Sequence, residues 1–310
     1  MLVLVAPGQG AQKPGLLTPW LELPGVADRL AEWSAAIGMD LAHYGTEAGE
    51  EEIRDTAVAQ PLLVAASLVS ADALLEGRRA AEAAGAVAGH SVGELAAAAM
   101  AGVLSPGDAM TLVRARGRAM AEAAAVTDTG MSAVLGGEPE AVVAHLEKLG
   151  LTAANINGGG QIVAAGTAEQ LAALAENKPE KARVIPLKVA GAFHTHHMAP
   201  AVDVLASAVE GAQVSDPALP YVSNLDGSVV EGGRQVVQRL VNQISASVRW
   251  DLCMETFQKM GVTALIEVCP GGTLTGLAKR GLPGVRTLAL KTPDDLDAAR
   301  ELIAEHTQTA

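Results

Sequence analysis

AGAVAGHSVGELAAAAM occupies residues 84–100, and it contains an apolar run, a tight turn and a strong helix former in that order. The small, mostly apolar run at residues 84–90 is typical of a short buried strand, and residues 94–100 favour a helix. Residues 89–93 match the pattern G-x-S-x-G, in which a serine stands on a sharp strand-to-helix turn. The stretch therefore predicts an α/β protein with Ser91 at the end of a strand.

Ser91 is a candidate nucleophile because this turn would expose its hydroxyl group at the N-terminus of the following helix. Backbone N–H groups and the helix dipole at that end favour developing negative charge. Glycines are expected on both sides of the serine because side chains would clash in so tight a turn. The alternative is a chance match in a chain rich in alanine and glycine, in which Ser91 merely caps a helix of a non-catalytic binding module.

A serine hydroxyl is a weak nucleophile near neutral pH and needs a base. Three of the seven histidines lie together in GAFHTHHM at residues 191–198, which makes this cluster the candidate source of the base. His90 adjoins the serine and is expected to support the turn instead. The H-x-H spacing also allows a zinc site, but no second group of ligands accompanies it, so we predict no metal and expect His196 and His197 at the surface.

Arg116 is predicted on the apolar side of a helix that spans residues 106–125. The helix begins with an N-cap serine followed by proline at residues 105–106. Ala109, Leu112, Val113 and Met120 share the face of Arg116 at 3.6 residues per turn. A buried guanidinium group requires an anionic partner, and its planar fork suits a carboxylate. The partner is either a buried acidic side chain or a free carboxylate on the substrate.

Residues 128–190 show a different rhythm, strand-helix-strand-strand-helix-strand, which is typical of a ferredoxin-like unit. The predicted strands are 131–135, 151–155, 161–165 and 183–189, and the predicted helices are 139–149 and 168–177. After this unit the chain returns to the larger pattern, with a further strand at residues 264–268.

Composition excludes several classes of protein. The chain has 310 residues, a formal net charge of −13 and seven aromatic residues, which argues against nucleic-acid binding. The N-terminus lacks the features of a signal peptide, and no run of about 18 apolar residues predicts a membrane span. Cys253 and Cys269 lack the spacing of a disulfide or zinc site. We therefore expect a cytosolic protein without membrane segments.

Five motifs occur in the order seen in malonyl-CoA:acyl carrier protein transacylases, and the chain resembles that family over nearly its whole length. The motifs are GQGAQ at 8–12, GHSVGE at 89–94, RG at 116–117, AFH at 192–194 with Met198, and EVCPG at 267–271. The resemblance implies an α/β-hydrolase-like core with a parallel sheet, formed by residues 1–127 and 191–310, with a ferredoxin-like subdomain inserted at 128–190.

The resemblance also implies roles for particular residues. Ser91 would be the nucleophile and His194 its general base, with a backbone carbonyl near Arg249 orienting the histidine. The backbone N–H groups of Gln9 and Val92 would form the oxyanion hole. The residues that would contact the substrate are Arg116, for the malonyl carboxylate, Phe193, whose ring leaves little room for an α-methyl branch, and His90.

The implied reaction transfers a malonyl group from malonyl-CoA to the phosphopantetheine thiol of a holo acyl carrier protein through an ester on Ser91. No cofactor is expected, since coenzyme A belongs to the substrate and phosphopantetheine to the carrier, and we expect a monomer. A serine hydrolase that releases the acyl group to water is the alternative. This sequence departs from the family at residues 245–250, where Asn-Pro is absent, and at Cys269, which replaces a glycine.

Overall fold

Two β-sheets form the frame of the protein, and the computed structural model describes them over residues 1–189 and 191–307. The strands are β1 Leu2–Ala6, β2 Ala86–Gly89, β3 Thr129–Gly136, β4 Thr152–Gly158, β5 Gln161–Thr167, β6 Ala182–Pro186, β7 Tyr221–Val222, β8 Val229–Val230, β9 Val248–Arg249, β10 Ala264–Glu267 and β11 Arg286–Ala289. The α-helices are α1 Val26–Ile37, α2 Leu41–Thr46, α3 Thr56–Leu75, α4 Gly93–Met100, α5 Pro106–Ala124, α6 Pro139–Lys148, α7 Ala168–Glu176, α8 Ala199–Val209, α9 Gly233–Gln243, α10 Trp250–Lys259, α11 Thr273–Gly281 and α12 Leu296–Thr307.

The larger sheet contains six strands in the order β11-β10-β1-β2-β7-β8. All neighbouring strands run parallel except the edge strand β8, which pairs antiparallel with β7. Ala6 pairs with Gly89, so the carboxyl ends of β1 and β2 lie side by side. The loop after β1 therefore adjoins the turn that contains Ser91, at the sheet edge where parallel α/β folds place their sites.

Strand β1 is buried on both faces. Leu2, Leu4 and Ala6 pack into the hydrophobic cluster that includes α3, α4 and α5. Val3 and Val5 point the other way, into a second cluster formed with α10 and α11. Helices thus cover both faces of the sheet at β1, which explains why this strand is a continuous apolar run rather than an alternating one.

Helix α3 is a core helix. It is long and apolar enough to cross a membrane, but 83% of its most apolar window is buried inside the protein. The Asp55 carboxylate caps its N-terminus by accepting a hydrogen bond from the Ala57 N–H at 2.8 Å. Because α3 is buried on nearly every side, Gln60 lies in the interior and is 1% exposed.

The smaller sheet has the order β6-β3-β5-β4-β9, and the first four strands pair antiparallel with one another. With α6 and α7 these strands confirm the predicted ferredoxin-like unit. The fifth strand was not predicted. β9 comes from outside the unit and pairs parallel to β4, with Asn155 opposite Val248. The exact division into units of 1–127 with 191–310, and 128–190, stays a prediction, and residues 190 and 308–310 lie outside the described chain.

Candidate active site

The turn between β2 and α4 holds Ser91 in a strained conformation. Its φ angle is +52°, in the left-handed region that residues with side chains rarely adopt. A Cβ atom on Gly89 would lie 2.0 Å from the Gly93 carbonyl carbon, and one on Gly93 would lie 2.3 Å from the Ala6 carbonyl oxygen. Both glycines are therefore required by close backbone contacts, as the G-x-S-x-G pattern predicts.

His194 meets Ser91 across the pocket. Its Nε2 atom lies 2.8 Å from the serine Oγ, although 103 residues separate the two in sequence. The His194 Nδ1 atom lies 2.8 Å from the main-chain carbonyl oxygen of Gln243. Since a carbonyl can only accept, Nδ1 carries the proton and Nε2 keeps a free lone pair directed at the serine hydroxyl. This is the tautomer that a general base needs.

This contact corrects the expectation that a carbonyl near Arg249 orients the histidine. The carbonyl belongs to Gln243. Gln243 is the last residue of α9, and the final carbonyls of a helix lack partners within the helix. Arg249 instead lies in β9, where its N–H donates to the Asn224 carbonyl and its side chain pairs with Asp251.

Arg116 brings a positive charge to the nucleophile. Its side chain is 1% exposed, and its Nη2 atom lies 3.4 Å from Ser91 Oγ. Two amides hold the guanidinium group: Nη1 donates to Gln60 Oε1 at 2.7 Å, and Nη2 donates to Gln243 Oε1 at 2.9 Å. No carboxylate forms an ion pair with it among residues 1–189 and 191–307, so a buried acidic side chain is not its direct partner.

A family model for the acyl transferase domain matches residues 3–296. The chain belongs to the acyl transferase family. Malonyl CoA-acyl carrier protein transacylase of Mycobacterium tuberculosis strain H37Rv is 51% identical over 302 residues, which cover 97% of this chain and 100% of the relative. The protein of that name from Escherichia coli K12 is 34% identical over 305 residues, covering 96% of this chain and 98% of the relative.

Solved structures agree with the match to the acyl transferase family. The crystal structure of MCAT from M. tuberculosis superposes with a TM-score of 0.92 at 52% identity, covering 96% of this chain and 99% of the other. A malonyl-transacylase in complex with a type II PKS acyl-carrier protein superposes with a TM-score of 0.89 at 32% identity, covering 97% and 99%. The predicted α/β-hydrolase-like core with its ferredoxin-like insertion is thereby confirmed.

The pocket of this acyl transferase is a cavity of about 170 Å³ between the Ser91 turn and the smaller sheet. Its lining residues are Gly8, Gln9, Gln60, His90, Ser91, Met120, Met131, Asn155, Asn157, Gln161, Val163, Leu187, Val189, Phe193, His194, Thr273 and Leu277. The lining thus combines apolar side chains with side-chain amides. Sequence reasoning missed Gln60, Asn155, Asn157 and Gln161. Asn155 ends the predicted strand 151–155 and Asn157 lies two residues beyond it, and this i, i+2 spacing was the one available signal.

Two backbone N–H groups are available near the serine. Within the described residues, the N–H groups of Gln9 and Val92 donate to no protein acceptor. Val92 precedes α4, and Gln9 lines the cavity while its side chain donates to Thr56 Oγ1 at 3.1 Å. The Ser91 N–H is occupied, since it donates to the Asn224 side chain. Gln9 and Val92 are accordingly the candidates for an oxyanion hole.

His90 connects the turn to the smaller sheet. Its Nε2 atom lies 2.8 Å from Asn157 Oδ1, and a Cβ atom on Gly8 would lie 2.8 Å from its Nδ1 atom. Burial lowers the pKa of His90, which favours the neutral ring. The side chain therefore lies between the loop after β1 and strand β4, at the wall of the cavity.

The remaining members of the histidine cluster lie away from the nucleophile. His196 is exposed and His197 half-buried, with ring centroids 4.1 Å apart. Within the described part of the chain, no group of three or more histidine, cysteine, aspartate or glutamate side chains could hold a metal. Cys253 and Cys269 are both buried and free.

Burial and the nearby charge of Arg116 lower the pKa of His194 from 6.5 to about 3. Below pH 6.5 the unfolded chain therefore gains a proton that the folded chain does not, and the free energy of unfolding falls. Between pH 7 and pH 5 we expect His194 to reduce it by about 2 kcal/mol, at ~1.4 kcal/mol per pH unit. Urea unfolding of the wild type and His194→Gln at both pH values measures this difference; an equal change in both proteins would contradict it.

Proposed function

We propose that this chain transfers a malonyl group from malonyl-CoA to the phosphopantetheine thiol of an acyl carrier protein, through a malonyl ester on Ser91. The observation that carries the proposal is the 3.4 Å separation of Arg116 Nη2 from the Oγ atom of Ser91, which lines the cavity. A malonyl group has a single methylene between its thioester carbon and its carboxylate. A cation so close to the nucleophile matches that short distance.

The first half of the reaction forms the acyl-enzyme. His194 Nε2 accepts the Ser91 proton while Oγ attacks the thioester carbon, and the N–H groups of Gln9 and Val92 stabilise the oxyanion. Collapse of the tetrahedral intermediate breaks the carbon–sulfur bond, and the coenzyme A thiolate takes the proton from His194. Arg116 holds the distal carboxylate throughout, supported by the amides of Gln60 and Gln243.

The second half reverses the order of these steps. The carrier thiol gives its proton to His194 and attacks the ester carbon, and the proton returns to Ser91 as the malonyl group leaves on the carrier. The Phe193 side chain lies against the cavity and is proposed to disfavour an α-methyl branch, so that methylmalonyl-CoA reacts poorly. No cofactor takes part in the proposed steps, and we propose a cytoplasmic monomer.

The fate of the acyl group distinguishes a transferase from a hydrolase. Wild-type protein is incubated with malonyl-CoA, with or without holo acyl carrier protein, and malonyl-carrier and free malonate are quantified. We expect an acyl-enzyme that persists without the carrier and is discharged when it is added. Rapid release of malonate with no carrier would favour a serine hydrolase, and absence of both products would favour a binding module.

Arg116→Ala should lower kcat/KM for malonyl-CoA relative to acetyl-CoA by roughly 10- to 150-fold. The range corresponds to ~1.5–3 kcal/mol for a hydrogen bond to a charged group. Competition between the two thioesters, read by mass spectrometry of the acyl-enzyme, measures the ratio. Arg118→Ala is the matched control, since Arg118 is 62% exposed on the same helix. An unchanged ratio in Arg116→Ala would rule out the carboxylate-binding role.

A further inference from the structure

Three polar side chains are buried next to the turn that carries Ser91. They are Glu94, Asn224 and Gln243, which are 1%, 0% and 5% exposed. The proposed mechanism uses the Gln243 main-chain carbonyl and its amide oxygen, but assigns nothing to Glu94 or Asn224. Burying such groups is costly unless their hydrogen bonds are satisfied. Their contacts therefore indicate what they do for the site.

Glu94 accepts hydrogen bonds at both carboxylate oxygens. Oε1 accepts from the Asn224 backbone N–H at 2.8 Å, and Oε2 accepts from Gln243 Nε2. An ionised carboxylate is the only common side chain of this size that offers two acceptors and no donor. A glutamine at this position could satisfy one of the two N–H groups, and would face the other with its own N–H.

The Gln243 amide is oriented by this contact. Its nitrogen donates to Glu94 and, at 3.1 Å, to the Ser91 carbonyl oxygen, which leaves its oxygen facing Arg116 at 2.9 Å. If the amide turned over, its N–H groups would face a guanidinium group that can only donate. Arg116 would then lose one of the two amides that hold it and keep the contact with Gln60.

Asn224 holds the turn that carries Ser91 through two side-chain hydrogen bonds. Its Oδ1 atom accepts from the Ser91 N–H at 2.8 Å, and its Nδ2 atom donates to the Gly89 carbonyl at 2.7 Å. The backbone N–H of the same residue is the one that Glu94 accepts. One carboxylate therefore supports both the turn that carries the nucleophile and the amide that holds the arginine.

We propose that Glu94 is a positioning residue, which fixes the Gln243 amide and Asn224 so that Arg116 is held ready for the substrate carboxylate beside Ser91. The inference rests on the proposed function. Burial raises the pKa of Glu94 to about 7, while the Asn224 N–H, Tyr221, Gln243 and Arg116 act in the opposite direction. Assays at pH 8 therefore keep the carboxylate ionised.

The test begins with Glu94→Gln, which replaces one acceptor with a donor. We expect the ratio of kcat/KM for malonyl-CoA to that for acetyl-CoA to fall about tenfold at pH 8, with the larger part of the change in KM for malonyl-CoA. Glu122→Gln is the control, because Glu122 is 73% exposed. A folded Glu94→Gln protein with the wild-type ratio would overturn the proposal.

Gln243→Ala tests the link between Glu94 and Arg116. It removes the amide that Glu94 orients but keeps the main-chain carbonyl that faces His194. We expect the ratio to fall about tenfold, and Glu94→Gln to lower it by less than about threefold further in the Gln243→Ala background, because the two side chains act through one contact. An unchanged ratio in folded Gln243→Ala, or two independent tenfold losses, would overturn the proposal, and the first comparison holds even if Glu94→Gln alone does not fold. A wild-type protein that forms no malonyl ester would instead refute the proposed function itself.

Discussion

Ser91→Ala should abolish the malonyl adduct and lower kcat by roughly ten-thousandfold or more, the scale seen when a catalytic nucleophile is removed. Alanine keeps the strained turn but removes the hydroxyl that lies 2.8 Å from His194 Nε2. Intact and peptide-level mass spectrometry after brief incubation with malonyl-CoA, without acceptor, measures the adduct. The wild type should gain one malonyl group on the peptide that contains residue 91.

Ser207→Ala is the control for this experiment, because Ser207 is an exposed serine on α8. It should form the adduct as the wild type does. A malonyl group that persists on Ser91→Ala would locate the nucleophile elsewhere in the cavity, and Thr273 would be examined first because its side chain also lines the cavity.

His194→Ala should reduce the rate of acyl-enzyme formation by roughly ten-thousandfold or more. Among the described residues, the serine hydroxyl would then have no base within hydrogen-bond distance, and the proton could not leave as Oγ attacks. The lowered pKa of His194 keeps its ring neutral, so the wild type should retain an active base well below pH 6.5. Rapid-quench measurement of malonyl-enzyme at several pH values gives both rates.

His196→Ala provides a matched comparison, since it removes an exposed histidine two positions along the same segment. We expect its acylation rate to stay close to that of the wild type. Comparable losses of acylation rate in the two variants would mean that either substitution disturbs the structure of the segment. His194 would then have no special role as base.

The sequence predicted the fold well where local patterns are strong. Residues 84–100 predicted a strand, a turn and a helix, and the described chain has β2 and α4 there. The apolar face of the predicted helix 106–125 placed Arg116 in the interior, where the structure has it. Both predictions depend on spacing within one element, which the sequence displays directly.

The contacts that hold the site could not be predicted in this way. Gln60 and Gln243 reach Arg116 from α3 and α9, across separations of 56 and 127 residues. An isolated glutamine in a helix has no local pattern that marks it as functional. The carbonyl that orients His194 was assigned to Arg249 because the resemblance pointed there, whereas helix α9 ends six residues earlier.

Strand β9 limits how freely the ferredoxin-like unit can be exchanged between relatives. It adds a fifth strand to that unit's sheet beside β4, which carries Asn155 and Asn157, and it follows Gln243 by only a few residues. A chimera that grafted residues 128–190 alone would place a foreign β4 against the host's β9. Grafts that also carry residues 243–249 keep the pocket wall and the histidine's carbonyl partner from a single parent. Chimeras built with and without that segment should therefore differ in how often they retain activity.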